Sequence, residues 1–365
     1  MAYNTFGTQN VIQRVDKTSL IVYNVFSDRV AETREACDQG SSCGGFLIFL
    51  GDKAMPKPFL SLEAQIKYLE ESKNLTISDY DYAKRMLQQI GYFGLIGGYK
   101  IPFKNPTTKK YKDGTTFEDI VSLYKFDENL RELFLKYILQ IERHMRSLIS
   151  YYFTDKYGEQ QLHYLNPNNY SNNPRCLADV NRLISTLDSL ANHNSDYPYI
   201  NHQRTVHGNV PLWVLVHGIT FGSLSKFYSY ITQDLKVKVS KNFEKVNEKQ
   251  LEQYLSVITK FRNVCAHNER LYSYQTRNDI PDTTIHQKLC IPKSGSQYIY
   301  GKRDLFALVI AFRYLLPDND FKKFKASLLR ILNHYLKSTD AMSDIILYQY
   351  MGFPSNWEKI SIYKK

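Results

Sequence analysis

Long apolar runs are missing from this 365-residue chain. The best candidate, "GGFLIFLG", is far short of the roughly 20 residues that span a bilayer, so no membrane partner is expected. The first 30 residues carry acids and polar side chains throughout, which is unlike a secretory signal. The expectation is a cytoplasmic protein. Paired cysteines are missing too. Cys37, Cys43, Cys176, Cys265 and Cys290 are odd in number, include no C-x-x-C, and give only one close pair, in "CDQGSSC". That spacing argues against structural zinc and for reduced thiols. Acids are also short: 36 Asp and Glu face 47 Lys and Arg, a net charge of +11. The imbalance favours polyanionic partners through attraction to phosphates. No carboxylate cluster or metal-ligand array stands out, and neither a metal nor a cofactor is expected. Neither a β-rich run nor an internal repeat is present.

What remains is a globular composition, 43% hydrophobic, with 29 tyrosines. Tyrosines at helical spacing are mostly half-buried core, although some could stack on unpaired bases. Residues 1–54 differ from the rest, alternating small, polar and β-branched residues without a helical period. The expectation there is a poorly packed extension or a mis-set start, with Met55 as the true initiator. Gly51-Asp52 can be encoded by a purine-rich GGAGA run suited to ribosome binding ahead of a Met55 codon. Residues 55–350 read as one helical domain and 351–365 as a basic C-terminal tail.

From Met55 the elements are helices. "SLEAQIKYLEESKN" and "SDYDYAKRMLQQIG" are amphipathic, and Ser78 with Asp81 suggests a capped start for the second. "YFGLIGGYKIPFKNPTTKKYKDG" is a loop by its glycines and prolines. It carries Lys100, Lys104, Lys109, Lys110 and Lys112 among aromatics, a mixture suited to a nucleic-acid backbone or simply to solvent. In "ENLRELFLKYILQIERHMRSLISYYFTDKYG", apolar residues from Leu130 to Tyr152 recur at steps of three and four, the buried stripe of a long helix. Glu142, Arg143 and Arg146 lie off that stripe, and the two arginines join the candidate RNA-binding residues. A helix over 178–190, a polar loop to about Val210, and an apolar helix broken near Gly218 or Gly222 follow. Asn247 with Gln250 opens a further helix. After a loop to about Gly301, helices over 304–316 and 320–336 lead to a short terminal one. The fold class is all-α, a helical bundle or two abutting ones.

The chemistry concentrates in "KFRNVCAHNERLYSY", Lys260 to Tyr274. Leu251, Tyr254, Leu255, Ile258, Phe261 and Cys265 form the apolar face of its helix. Asn263 and His267 stand one turn apart, and each lies about 200° around the axis from the apolar residue two places before it. Both therefore face outward. Arg262 and His267 are about 140° apart, a gap that a long guanidinium arm or a second copy of the helix can close. Cys265 points away from His267, which disfavours a Cys–His nucleophilic pair. Arg262, Asn263 and His267 suit RNA transesterification. The histidine would move a proton, the arginine would hold the phosphate, and the asparagine would orient either. From spacing alone, a capped and charged helix end is an equal alternative.

The stretch resembles the R-N-x-x-x-H signature of HEPN-superfamily ribonucleases, and the wider chain is similar to the Abi-like family of abortive-infection (phage-resistance) proteins. The matching blocks run in order: "KPFLSLEAQIKYLE", "DYAKRMLQQIGYFGLIGGYKIPF", "FEDIVSLYKFDENLRELFLKYILQIERHMRSLISYY", "PLWVLVHGITFGSLSKFY" and "FRNVCAHNERLY". The resemblance implies a HEPN-type bundle with additional terminal helices and a metal-independent endoribonuclease, its site often composed across a homodimer. It further implies 2′,3′-cyclic phosphate and 5′-hydroxyl products, toxin-like growth arrest, and in some relatives a small structured non-coding RNA as inhibitor. Arg262, Asn263 and His267 fill the three defining places. Two departures stand out. Asn268 and Tyr272 replace residues of the family's "CAHHxRLWN", and "GYFGLIGGY" lacks the arginine of "YYRLSGY". A catalytically weak protein that recognises a structured regulatory RNA is the alternative function, and a purely structural helical module the third.

Among the other histidines, His193, His202 and His207 read as surface residues, His217 as semi-buried, and His144 as a candidate to approach the site from a neighbouring helix.

Overall fold

A reciprocal capping box starts the dominant element. The Thr116 hydroxyl accepts from the Asp119 N–H (3.1 Å), and the Asp119 carboxylate accepts from the Thr116 N–H (2.9 Å). These bonds satisfy donors that a helix start otherwise leaves open. The helix runs from Phe117 to Tyr157, 41 residues or about 60 Å. It begins well before Glu128, where the sequence pattern becomes obvious. It stops at Gly158, whose φ of +97° is a conformation that glycine tolerates best. The molecule is a computed structural model in which residues 58–193 and 195–363 are described. The 1–54 extension, the alternative start at Met55, and Cys37 and Cys43 lie outside those residues.

This long helix is the spine of an all-α bundle, and the chain from Leu60 onward is one compact unit. Leu130, Phe134, Ile138, Ile141, Met145 and Ile149 of the expected stripe are buried. Two neighbours matter most. The helix Asp318–Ser338 lies against the spine through ring contacts of Phe324 with Phe134 (5.1 Å) and of Tyr335 with Phe126 (4.5 Å). The helix Glu248–Ala266, here the motif helix, packs on the spine and also meets Leu305–Leu315. Leu305–Leu315 is buried on every face, as expected for a helix enclosed by others.

Several boundaries depart from the sequence reading. The second helix is Tyr80–Ile90, capped by Asp79, whose carboxylate accepts from the Tyr82 N–H (2.7 Å); Ser78 instead reaches Glu118 across the chain. The expected polar loop before Val210 contains the helix Pro198–His207. The apolar stretch that follows gives one turn, Leu212–Leu215, and a separate helix, Phe221–Tyr230, capped by Thr220. The break covers residues 216–220, and within it a Cβ at Gly218 would come within 2.9 Å of Ile200 Cδ1. Before Gly301 a single helical turn, Thr284–Lys288, precedes a two-residue antiparallel pair, Lys293–Ser294 with Gln297–Tyr298. Residues 351–363 are not a free tail. Trp357 and Ile360 are buried, and Arg313 donates to the Tyr363 carbonyl (3.1 Å). Charge at the end of the sequence concealed two core anchors.

Candidate functional site

The motif helix opens as expected: the Asn247 side chain accepts from the Gln250 N–H (2.8 Å) and the Gln250 side chain from the Asn247 N–H (3.0 Å). Leu251, Tyr254, Leu255, Ile258, Phe261 and Cys265 are all buried, joined by Val257 and Val264. Burial pushes the Cys265 thiol up to about 12, which makes a thiolate nucleophile unfavourable at neutral pH.

The helix ends in a defined way. His267 is the C-cap, Asn268 takes a φ of +55°, and the Glu269 N–H reaches back to the Val264 carbonyl at 3.0 Å. That back-bond with a left-handed residue is the Schellman arrangement, in which asparagine is the usual substitute for glycine. Asn268 thus has a backbone role at the place where the resembled family often has a second histidine. Asn263 and His267 are both exposed, and the Asn263 carbonyl accepts from the His267 N–H (2.9 Å). The His267 imidazole is open to solvent rather than enclosed by aliphatic side chains.

Arg262 turns the other way, toward the spine. Its Nε lies 4.0 Å from Glu142 Oε2, and its side chain keeps 32% of its exposure. Glu142 is itself buried, and its other oxygen lies 2.5 Å from Arg146 Nη2, which also donates to the Ile219 carbonyl (3.0 Å). Two guanidinium groups from two helices therefore share one buried carboxylate. The Arg262 side of this arrangement is loose, since neither Arg262 Nε nor Glu142 Oε2 has a hydrogen-bond partner. Arg146 is held more firmly, by a charge-assisted bond and a backbone acceptor. Sequence reasoning placed Glu142 off the stripe, but the motif helix covers that side of the spine and encloses it. Arg143 is exposed.

A second buried network fixes the segment leaving the motif. Asp127 accepts from the Leu271 N–H (2.8 Å), the Tyr272 N–H (2.6 Å), the Tyr99 hydroxyl (2.8 Å) and Arg131 Nη1 (2.8 Å). Arg270 donates to the Gly98 carbonyl (2.6 Å), and Tyr99 stacks near Tyr272 with centroids 6.1 Å apart. Burial raises the Asp127 carboxyl, opposed by Arg131 and by these donors. No periodic signal in the sequence marks Asp127, because its partners are distant in the chain.

The same anchors hold the lysine-rich loop. Lys104 and Tyr111 form an isolated antiparallel bridge, with the Lys104 ammonium 5.2 Å from the Tyr111 ring centroid. Desolvation, then the charges of Lys100, Lys73 and Lys109, bring Lys104 down to about 8. Four lysines thus share one neighbourhood, including Lys73, which the sequence reading did not single out. Lys109 and Lys110 are exposed. Lys112 is different: its ammonium donates to the Pro102 carbonyl (2.8 Å) and braces the loop.

The remaining histidines separate from the motif. His144 lies against the Phe243 ring (5.2 Å), and desolvation lowers its pKa. His202 and His207 face one another on the helix Pro198–His207 (5.7 Å). His217 is exposed, not semi-buried, because the apolar helix breaks before reaching it. His286, unremarked in the sequence, is fully buried. Among the described residues no three His, Cys, Asp or Glu side chains are grouped to hold a metal ion, and no helix is long and apolar enough to cross a membrane.

Taken together, fold and site define an all-α bundle presenting an outward histidine and asparagine at a helix terminus beside a paired-arginine cluster. The chain belongs to the Abi-like protein family, whose model matches residues 85–273 and therefore includes the spine, the motif helix and the exit segment. Membership associates it with abortive infection, a form of phage defence. The block "KPFLSLEAQIKYLE" precedes the matched region. No curated protein and no solved structure matches the chain.

Proposed function

We propose that this protein is a metal-independent endoribonuclease of the HEPN type, acting as a toxin-like effector of abortive infection. Arg262, Asn263 and His267 are its R-N-x-x-x-H residues. The observation that carries the reading is the state of His267: an exposed imidazole at a helix C-terminus, one turn after an exposed Asn263. A proton-transfer group needs that access. The part-exposed guanidinium of Arg262, only loosely held by Glu142, suits bidentate contact with a phosphate.

The reaction would run as follows. The ribose 2′-oxygen attacks the adjacent phosphorus and gives its proton to a base. The bond from phosphorus to the 5′-oxygen breaks, and that oxygen takes a proton. Products are a 2′,3′-cyclic phosphate and a 5′-hydroxyl. His267 serves one of the two proton transfers, and Arg262 stabilises the charge on the phosphoryl oxygens. In one chain the guanidinium faces the spine and the imidazole faces solvent, so a second copy bringing its own motif helix would complete the constellation. A homodimer is therefore part of the proposal, as is an inhibitory structured RNA. The lysine group around Lys104, with exposed Lys109 and Lys110, would hold RNA backbone.

The test is direct. Purified protein is incubated with RNA in the presence of EDTA, and the new ends are characterised. Cyclic phosphates and 5′-hydroxyls are expected; a strict magnesium requirement or 5′-phosphate ends would refute the reaction assigned. The lysine group also favours a second reading, a catalytically weak RNA-binding protein. That reading predicts tight, steeply salt-dependent binding with no cleavage at all.

A further inference from the structure

Beside the arginine pair the surface carries aromatics that the proposed reaction does not use. Tyr197 and Tyr199 open the helix Pro198–His207, with ring centroids 5.5 Å apart and planes inclined by 39°. Both keep about two-fifths of their surface, 39% and 40%. Core tyrosines of this chain, such as Tyr99, Tyr164 and Tyr228, are by contrast almost completely enclosed. The pair is nevertheless held in place. Ile200, the next residue, is fully buried, and Gly218 lies so close beneath that a Cβ there would reach 3.3 Å from the Tyr197 ring.

The position of this ledge gives it a ligand. Ile219 follows Gly218, and its carbonyl accepts from Arg146 (3.0 Å), the guanidinium that shares Glu142 with Arg262. Burial and Tyr197 raise the Tyr199 phenol, and the Arg146 charge opposes them. Two guanidinium groups against one carboxylate leave a local excess of positive charge, flanked by exposed rings. Rings beside arginines are the chemistry that recognises unpaired nucleobases, the face taking the base and the cation the neighbouring phosphate. We propose that Tyr197 and Tyr199 form a stacking ledge for an unpaired base of the RNA whose phosphate reaches the Arg146–Arg262 pair. The inference rests on the RNA-cleavage reading and adds to it a base-binding subsite outside the motif, which continuous duplex could not fill.

The experiment uses the full chain and a fluorescein-labelled oligouridine too short to fold. Binding is read by anisotropy and cleavage by gel, for wild type, the Tyr197→Ala/Tyr199→Ala pair and the Tyr197→Phe/Tyr199→Phe pair. Sedimentation reports the oligomeric state of each. The alanine pair is expected to weaken binding about 5- to 100-fold, the range for losing stacked bases. The phenylalanine pair should stay within about 2-fold of wild type, because the ring face is retained. Equal binding by wild type and the alanine pair overturns the ledge, and so does no binding by wild type. An alanine pair that changes oligomeric state instead overturns it too, and assigns the rings to a contact between copies of the chain. Tyrosine-dependent binding without cleavage by wild type supports the ledge and sinks the nuclease reading; cleavage without tyrosine dependence does the reverse.

Discussion

Replacing Asp127 should show how strongly the motif exit is tied to the spine. Its carboxylate is fully buried and accepts four bonds, two from the backbone N–H groups of Leu271 and Tyr272. Asp127→Ala leaves Arg131, itself 3% exposed, without its counter-charge, and strands two amides in the core. Removing one partner of a buried ion pair costs about 3–5 kcal/mol, and each stranded donor adds about 1–3 kcal/mol where water cannot enter. Relaxation recovers part of that sum, so a loss of about 4 kcal/mol or more is expected. Tyr99→Phe removes a hydroxyl that donates to Asp127 (2.8 Å) and accepts from Arg131 Nη1 (3.0 Å) but leaves that ion pair intact, and should cost about 2 kcal/mol. Urea denaturation followed by circular dichroism measures both. The ordering is the discriminating feature, because a merely electrostatic surface role would make the two alike. A loss below about 1 kcal/mol for Asp127→Ala would refute the argument that this carboxylate anchors the segment after His267.

Three further outcomes follow from single residues. Asn268 holds a φ of +55°, so Asn268→Gly should be neutral or slightly stabilising, whereas Asn268→Ala should cost about 1 kcal/mol; thermal melts of the two variants, moving oppositely or not, decide it. His286 accepts at Nδ1 from the Thr283 N–H (3.1 Å) and pairs through Nε2 with the Gly301 carbonyl (2.9 Å). Burial chiefly, with the Lys302 charge, lowers its pKa, while the Gly301 bond and Asp282 oppose this. A folded pKa below the unfolded value makes its contribution full above about pH 6.5, and that contribution is lost as pH falls through the folded pKa. His286→Leu should therefore flatten the fall of urea midpoints between pH 7 and pH 5; an unchanged slope counts against it. For Glu142, Glu142→Gln should leave Arg262 without its charged partner and lower cleavage several-fold, with RNA binding at least as strong as wild type. Unchanged cleavage would mean that the carboxylate does not orient the guanidinium.

Much of this architecture is legible in the sequence. The motif helix carried its own start signal in Asn247 and Gln250, a clean apolar period through Cys265, and outward places for Asn263 and His267. The spine was visible where its stripe was strong, from Leu130 onward, but its first turns carry Asp127 and so weaken the period. Pairings between distant residues stayed hidden. Nothing in the local sequence joins Asp127 to Leu271, or Glu142 to Arg262, because those bonds exist only once the two helices pack. Arg146 and Lys112, candidate RNA-binding residues in the sequence, also have structural partners, Glu142 with the Ile219 carbonyl for the first and the Pro102 carbonyl for the second. Trp357 was concealed by its charged surroundings. Periodicity reports which face is buried; it cannot report what an off-face charge meets across the core.

In the proposed reaction His267 and Arg262 act together on a ribose phosphate. The most direct measurement compares RNA cleavage and RNA affinity for wild type, His267→Ala and Arg262→Ala, each checked for native circular dichroism. Either change should abolish detectable cleavage, while affinity should fall by less than about 10-fold for His267→Ala because a backbone-binding surface survives it. Undiminished cleavage in both variants would contradict that joint action.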